Sequence, residues 1–295
     1  MKFSLPRNID TKRLLSFLDR AKQQQAKLQT PDDRREVLQL PEPRTPFDVY
    51  RKQKLINLLN LRQLAEGRSV LEIGCGIGDL LKEIARYNPK ELYGVDRSPK
   101  MVAYAKAFLK EEKVDVQVAN PFRLPFPEKS FDLVVVMDEF QHVFSDKDAE
   151  KLFYEVCRVS RQWVILVEET APEQKTVEKM LLRTVQKYKD EMKKKRFYLR
   201  SVNFLDIAAT SYIYTSRRNP WHWVRWVFSP LLYLIGFPSS VMKMPTSEEK
   251  IPDSELAMKL QAFTLPFATS LDGIFRKVEG TTVMRFEREQ VFRRG

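Results

Sequence analysis

At 295 residues, with 43% apolar residues and a formal net charge of +12, the chain can form one large α/β domain with additions or two small domains, and its core can be substantial. Its two cysteines, Cys75 and Cys157, lack metal-ligand spacing and a disulfide framework; with only His142 and His222 beside them, no zinc site and no metal is expected. No apolar signal core follows the N-terminus, MKFSLPRNID, so a reducing, cytoplasmic setting is expected.

The charge is unevenly placed. Residues 1–66 carry 14 basic and 8 acidic side chains, residues 67–170 carry 15 and 18, and residues 171–295 carry 22 and 13. Basic flanks around a slightly acidic centre suit nucleic acid or an anionic membrane, or are simply solvated helix faces.

Residues 1–66 read as a helical extension. Leu14, Leu15, Phe17 and Leu18 form an apolar stripe, a Pro- and charge-rich linker covers 30–46, and helical spacing returns over 47–64 with Val49, Leu55, Ile56, Leu58, Leu59 and Leu61. Gly67 is a natural helix stop. These helices either cover a substrate side or pack on a sheet. Residues 67–295 form the main domain.

That domain opens on SVLEIGCGIGDLLKEIARYNPKELYGVD, residues 69–96. A short apolar strand runs into Gly74, Gly76 and Gly78, Asp79 opens an amphipathic helix, and a second strand closes on Asp96. Alternate glycines let the backbone turn tightly and let a ligand approach it. The following helix aims free N–H groups at that ligand. Asp96 stands where an acid accepts hydrogen bonds from ribose hydroxyls. The third glycine comes one residue earlier than in G-x-G-x-x-G, and Glu72 stands two residues before the first. A carboxylate there repels a pyrophosphate and suits a cationic ligand.

The stretch resembles the first motif of the class I S-adenosylmethionine (SAM) methyltransferases, whose usual form is hydrophobic, acidic, hydrophobic, then G-x-G-x-G. The resemblance runs on through Asp96-Arg97-Ser98-Pro99-Lys100-Met101, similar to the family's D-x-S-x-x-M. Ser98 and Pro99 are good first residues of a helix that buries Met101, Val102, Ala105, Phe108 and Leu109. A third strand is expected over 114–118. Asn120-Pro121-Phe122-Arg123-Leu124-Pro125-Phe126 then matches D-A-x-x-L-P-F, with Asn120 at the family's adenine-binding Asp. An Asn can still accept from the adenine amino group and donate to a ring nitrogen.

A fourth strand over 133–137 ends at Met137, followed by Asp138-Glu139-Phe140-Gln141-His142. Ligands of doubly wound sheets bind past such strand ends. Ser145 and Asp148 make a capping box, Ala149, Leu152, Phe153, Val156 and Val159 repeat at helical spacing, and a fifth strand covers 162–168. Beyond it we expect a long basic helix over 172–200, a short helix over 201–205, a sixth strand over 211–216 and a last strand over 280–287. Residues 217–270 exceed an ordinary connection. Trp221, Trp223 and Trp226 beside Arg217 and Arg218 suit a membrane interface or a greasy substrate mouth, against a buried lid.

The resemblance covers about residues 64–169. It implies a Rossmann-like α/β fold with a seven-stranded, mostly parallel sheet of order 3-2-1-4-5-7-6, and SAM as cofactor. It implies cofactor contacts from Glu72, Gly74, Cys75, Gly76, Gly78, Asp96, Arg97, Met101, Asn120, Pro121, Met137 and Asp138. Methyl transfer needs alignment and desolvation. An acceptor hydroxyl or acidic carbon also needs a base, for which His142 is best placed, with Glu139 or Asp138 behind it. The acceptor is expected to be small and hydrophobic or lipid-like, with peripheral membrane contact through 217–238. A silent SAM-binding module and a nucleic-acid methyltransferase are the rival readings. The second lacks an Asn-Pro-Pro-Tyr/Phe motif after strand 4. Glu72 and the glycine spacing disfavour a nicotinamide oxidoreductase.

Overall fold

The apolar runs become the strands of one sheet in a computed structural model that describes residues 46–177, 179–207, 262–266, 269–270, 272 and 280–289. The strands are β1 (Ser69–Ile73), β2 (Glu91–Asp96), β3 (Asp115–Val118), β4 (Phe131–Met137), β5 (Ser160–Thr170), β8 (Phe197–Phe204) and β9 (Gly280–Arg288), in the order β3-β2-β1-β4-β5-β9-β8. Strands β1 to β5 pair in parallel, and β9 runs antiparallel to both β5 and β8. A small antiparallel hairpin, β6 (Lys175–Val177) and β7 (Met180–Leu182), lies outside this sheet. With the hairpin set aside, the order is the expected 3-2-1-4-5-7-6.

Side chains alternate across the sheet as a pleated strand requires. Val134 and Val136 of β4 join Phe153, Val156, Tyr188 and Met192 in one core. These come from helices α5 (Asp146–Val159) and α6 (Val185–Lys194). Leu133 and Val135 join Leu81, Ile84, Val102 and Ala105 in the other. These come from α3 (Asp79–Ala85) and α4 (Pro99–Phe108). Ile56 and Leu59 of α1 (Pro46–Leu59) and Leu64 of α2 (Leu61–Ala65) complete that second core. The expected 47–64 helix is broken at Asn60, whose φ of 52° is left-handed. Ser98 and Ser145 cap α4 and α5 through their hydroxyls, as their positions suggest.

Two expectations fail after β5. Residues 172–200 do not form one helix, because the segment holds β6, β7, α6 and the start of β8. Arg196 takes a left-handed φ of 65°, which stops α6 and turns the chain into β8. Residues 201–205 are not helical either. Residues through Phe204 pair with β9, with Phe204 opposite Thr282, and this pairing outweighs the local capping signal of Ser201. The sixth strand of the sheet is thus 197–204; the 211–216 expectation lies outside the described residues. So do the Leu14–Leu18 stripe and the tryptophans of 217–238.

The chain forms two compact units. Lys54–Leu205 with Lys277–Gly295 contains the sheet; Met1–Gln53 with Asp206–Arg276 is the second. In the described part of the second, Phe47, Ala262 and Leu265 are buried, and the Tyr50 hydroxyl donates to the buried Asp272 carboxylate at 2.9 Å.

Candidate active site

The turn after β1 is tied to β2. The N–H groups of Gly74 and Cys75 both donate to the Val95 carbonyl, at 2.9 and 3.0 Å. Gly74, Gly76 and Gly78 all have positive φ, at 78°, 52° and 84°, a region that favours glycine. Asp96 braces the turn: Oδ2 accepts from Gly76 N–H at 3.0 Å and Oδ1 from Ser98 N–H at 2.8 Å. A Cβ added at Gly76 would meet nothing within 4 Å, so the turn has open space above it. One added at Gly74 would lie 2.5 Å from Glu139 Oε1, so the Glu139 side chain rests on this turn.

Glu72 is buried beneath the turn, and its Oε2 has no hydrogen-bond partner. Burial raises its pKa well above the ordinary carboxylate value, with Asp79 and Asp96 adding to the effect and the Leu81 backbone opposing it. A buried carboxyl oxygen without a partner is costly, which is consistent with a group whose partner arrives with a ligand. Cys75 is buried as well; burial, with Glu72 and Asp96, pushes its thiol up, so it stays neutral.

β4 delivers the second half of the site. Its neighbour β1 leads outward to β2, while β4 leads to β5 on the other side, so the order reverses between β1 and β4. The crevice at such a reversal is where doubly wound folds bind ligands. Asp138 stands there with a φ of 57°, and its N–H donates to Val167 O at 2.9 Å. A left-handed non-glycine residue stores strain, as active-site turns often do. A single 3-10 turn, Phe140–His142, follows.

Residues that sequence reasoning missed hold this turn from both sides. Glu168, fully buried at the end of β5, accepts from the N–H groups of Glu139, Phe140 and Gln141 at 3.1, 3.0 and 3.1 Å. Arg183, also fully buried, follows β7 and donates to the Phe140 carbonyl at 2.6 Å and to the Val143 carbonyl. The available signal was a charged residue closing an apolar run in each case, VILVE and MLLR. Burial, with Asp96 and Asp138 adding and Arg97 opposing, pushes Glu139 up to about 7. His142 is exposed on the same turn.

The 120–127 loop flanks the end of β3. Asn120 Oδ1 accepts from Phe122 N–H at 2.9 Å, which leaves its amide N–H groups and a second lone pair. Pro121 is buried, Met101 and Met137 are half-buried, and Arg97 is exposed. The loop is pinned by an ion pair of α5 that the sequence reading missed. Leu124 N–H donates to Glu155 at 2.6 Å, and Arg158 donates to Glu155 and to the carbonyls of Phe126 and Leu124. Burial opposes charge on Glu155, but Arg158 and the Leu124 N–H outweigh it and lower its pKa.

Apart from Met101, Asn120 and Pro121, the expected cofactor and catalytic residues fall into two groups. Glu72, Gly74, Cys75, Gly76, Gly78, Asp96 and Arg97 come from the first two strand ends. Met137, Asp138, Glu139 and His142 come from the end of β4. The Gly74–Glu139 contact joins the two groups directly. The open space at Gly76, the unpartnered Glu72 oxygen and the acidic strand ends fit a ligand with a ribose and a cationic end.

This sheet order and this glycine turn are those of the class I methyltransferase fold. Residues 70–162 match the family described as "Methyltransferase domain". The chain is 33% identical over 97 residues to norajmaline N-methyltransferase of Rauvolfia serpentina, covering 32% of each chain. It is 29% identical over 126 residues to the ubiquinone/menaquinone biosynthesis C-methyltransferase UbiE of Geotalea uraniireducens, covering 41% of this chain and 53% of that one. The chain thus spans about a third and about a half of these two relatives. Among solved structures, phosphoethanolamine N-methyltransferase 2 of Haemonchus contortus, in complex with phosphomonomethylethanolamine and S-adenosylhomocysteine, shares the fold. Its TM-score is 0.52 at 20% identity, over 81% of this chain and 53% of that one.

Proposed function

We propose that this protein transfers the methyl group of SAM to an oxygen or carbon of a small hydrophobic or lipid-like acceptor. The observation that carries the reading is the glycine turn braced by Asp96 above a buried Glu72 whose Oε2 has no partner. In this reading Asp96 accepts from the ribose hydroxyls, and Met101, Asn120 and Pro121 enclose the adenine. Arg97 flanks it, and Glu72, Gly74, Cys75, Gly76, Gly78, Met137 and Asp138 line the methionine end. SAM supplies a methyl group on a sulfonium leaving group; the chain's own part is to bind, align and exclude water.

Removing a proton from the acceptor falls to the turn after β4. His142 is exposed there and accessible to an acceptor, and Glu139 lies on the glycine turn. The relatives' printed names cover an alkaloid N-methylation and a quinone C-methylation, so the domain match alone leaves the acceptor open. The hydrophobic choice rests on the sequence of 217–238, with Trp221, Trp223 and Trp226 beside Arg217 and Arg218. We place the protein in the cytoplasm, with that segment in contact with a membrane surface.

The test is incubation of cell extracts with the protein and methyl-labelled SAM. Label in a lipid or quinone fraction is the expected result. Label in nucleic acid would overturn the acceptor class. Failure of the folded protein to bind SAM in a calorimeter would overturn the methyltransferase reading itself.

A further inference from the structure

The Glu139 carboxyl sits at the reversal point of the sheet, against Gly74 of the turn in which Gly76 leaves room for a ligand. It is held there from outside the turn. Its own N–H is bonded to Glu168 and its backbone neighbour Asp138 is bonded to β5. The groups that act on it come from every side of the crevice. From the end of β2 come Asp96, already accepting two N–H bonds, and the guanidinium of Arg97; from β4 comes Asp138; on the turn after β1 lies Cys75. Beneath the turn lies the buried Glu72. Among the described residues one cation therefore faces several carboxyl groups in a small space, a site in which a positively charged ligand is favoured and full ionisation without it is not.

We propose that Glu139 is the proton-exchanging counter-charge for the cationic end of SAM, so that the cofactor enters as a proton leaves this carboxyl group. The proposal rests on the methyltransferase reading and adds to it a way of telling substrate from product. SAM carries a sulfonium charge, whereas S-adenosylhomocysteine carries a neutral thioether in its place. The donor therefore expels the proton more completely than the spent cofactor, and release of the product is helped by the proton's return. The bookkeeping is simple: carboxylic acid plus SAM gives carboxylate–SAM complex plus one proton to solvent.

Burial pushes the Glu139 carboxyl up to about 7 in the free protein. Above that pH the carboxylate is already formed and binding needs no proton loss. Below it, each bound SAM displaces a proton, so affinity falls as pH falls, by up to about tenfold per pH unit.

Calorimetric titration of the whole protein with SAM in buffers of different ionisation enthalpy measures the protons released. At pH 7 about half a proton per SAM is expected, because a group with a pKa near 7 is half ionised there. S-adenosylhomocysteine should release clearly fewer. Glu139→Gln should abolish the difference between the two ligands and flatten the pH dependence of SAM affinity between pH 5 and 7. Release that persists in Glu139→Gln would assign the proton to another carboxyl, Glu72 first, and overturn the proposal. Equal release by the two ligands would overturn it too. No SAM binding at any pH would instead sink the underlying methyltransferase reading.

An independent check uses the protein without ligand. A carboxyl whose pKa is raised on folding stabilises the fold fully below the unfolded value and loses that contribution as pH rises through its folded value. Thermal unfolding of the wild type should therefore weaken between about pH 4.5 and 7 relative to Glu139→Gln. Parallel pH profiles for the two proteins would show that Glu139 does not titrate in this window and would overturn the proposal.

Discussion

Gly76 separates the needs of the chain from those of a ligand. Its neighbour Gly74 cannot take a side chain without striking Glu139, and Gly78 cannot without striking Leu109, whose Cδ1 would lie 2.5 Å from the new Cβ. At Gly76 the new Cβ would meet nothing within 4 Å, so the protein itself bears only the cost of a positive φ, roughly 1 kcal/mol. Gly76→Ala should therefore lower stability by only about 1 kcal/mol and weaken SAM binding tenfold or more, read by calorimetry beside a denaturation curve. Undiminished SAM binding would mean that the ligand does not approach this turn. Glu72, the three glycines and Asp96 were legible in the sequence because they lie within one strand-turn-helix-strand unit, where spacing alone fixes geometry. The Glu139–Gly74 contact was not, because it joins residues brought together only by β1–β4 pairing.

The turn after β4 shows the same limit at the level of elements. Its ends are held by two residues that arrive from elsewhere, Glu168 from β5 and Arg183 from behind the β6–β7 hairpin. The run of lysines in 172–200 reads as helix, and local propensity alone supports that. It gives way because β8 completes the sheet by pairing with β9 from Phe197 to Phe204, with one irregularity between Leu199 and Ser201, and because Arg183 is buried directly after the hairpin. Arg183→Met keeps much of the side-chain volume but leaves the Phe140 and Val143 carbonyls without these donors. The expected loss is about 2–4 kcal/mol in urea denaturation, typical of removing buried hydrogen bonds from a charged group. Because the altered bonds are on the turn that carries Glu139 and His142, SAM affinity or turnover should fall as well at a temperature where the variant is folded. A variant as stable and as active as the wild type would show that the clamp is dispensable.

Charge is unevenly placed along the chain, and its placement bears on where the protein should be found. Residues 67–170 carry 15 basic and 18 acidic side chains, and the excess of positive charge lies in the flanks. Among the described residues no helix is long and apolar enough to cross a membrane. A surface that docks through Trp221, Trp223 and Trp226 would combine an apolar term with on the order of 1 kcal/mol per well-placed Lys or Arg on an anionic leaflet. The two terms respond differently to salt, because screening shortens the reach of charge and leaves apolar burial intact. The protein should therefore sediment with vesicles containing anionic lipid, release only in part at high salt, and bind neutral vesicles weakly. Changing the three tryptophans to serine should remove the salt-resistant fraction while SAM affinity stays at its wild-type value. If the wild type remains in the supernatant with every vesicle composition, the basic flanks are solvated faces and the tryptophan segment has no membrane to meet. The acceptor would then have to reach the turn after β4 from solution.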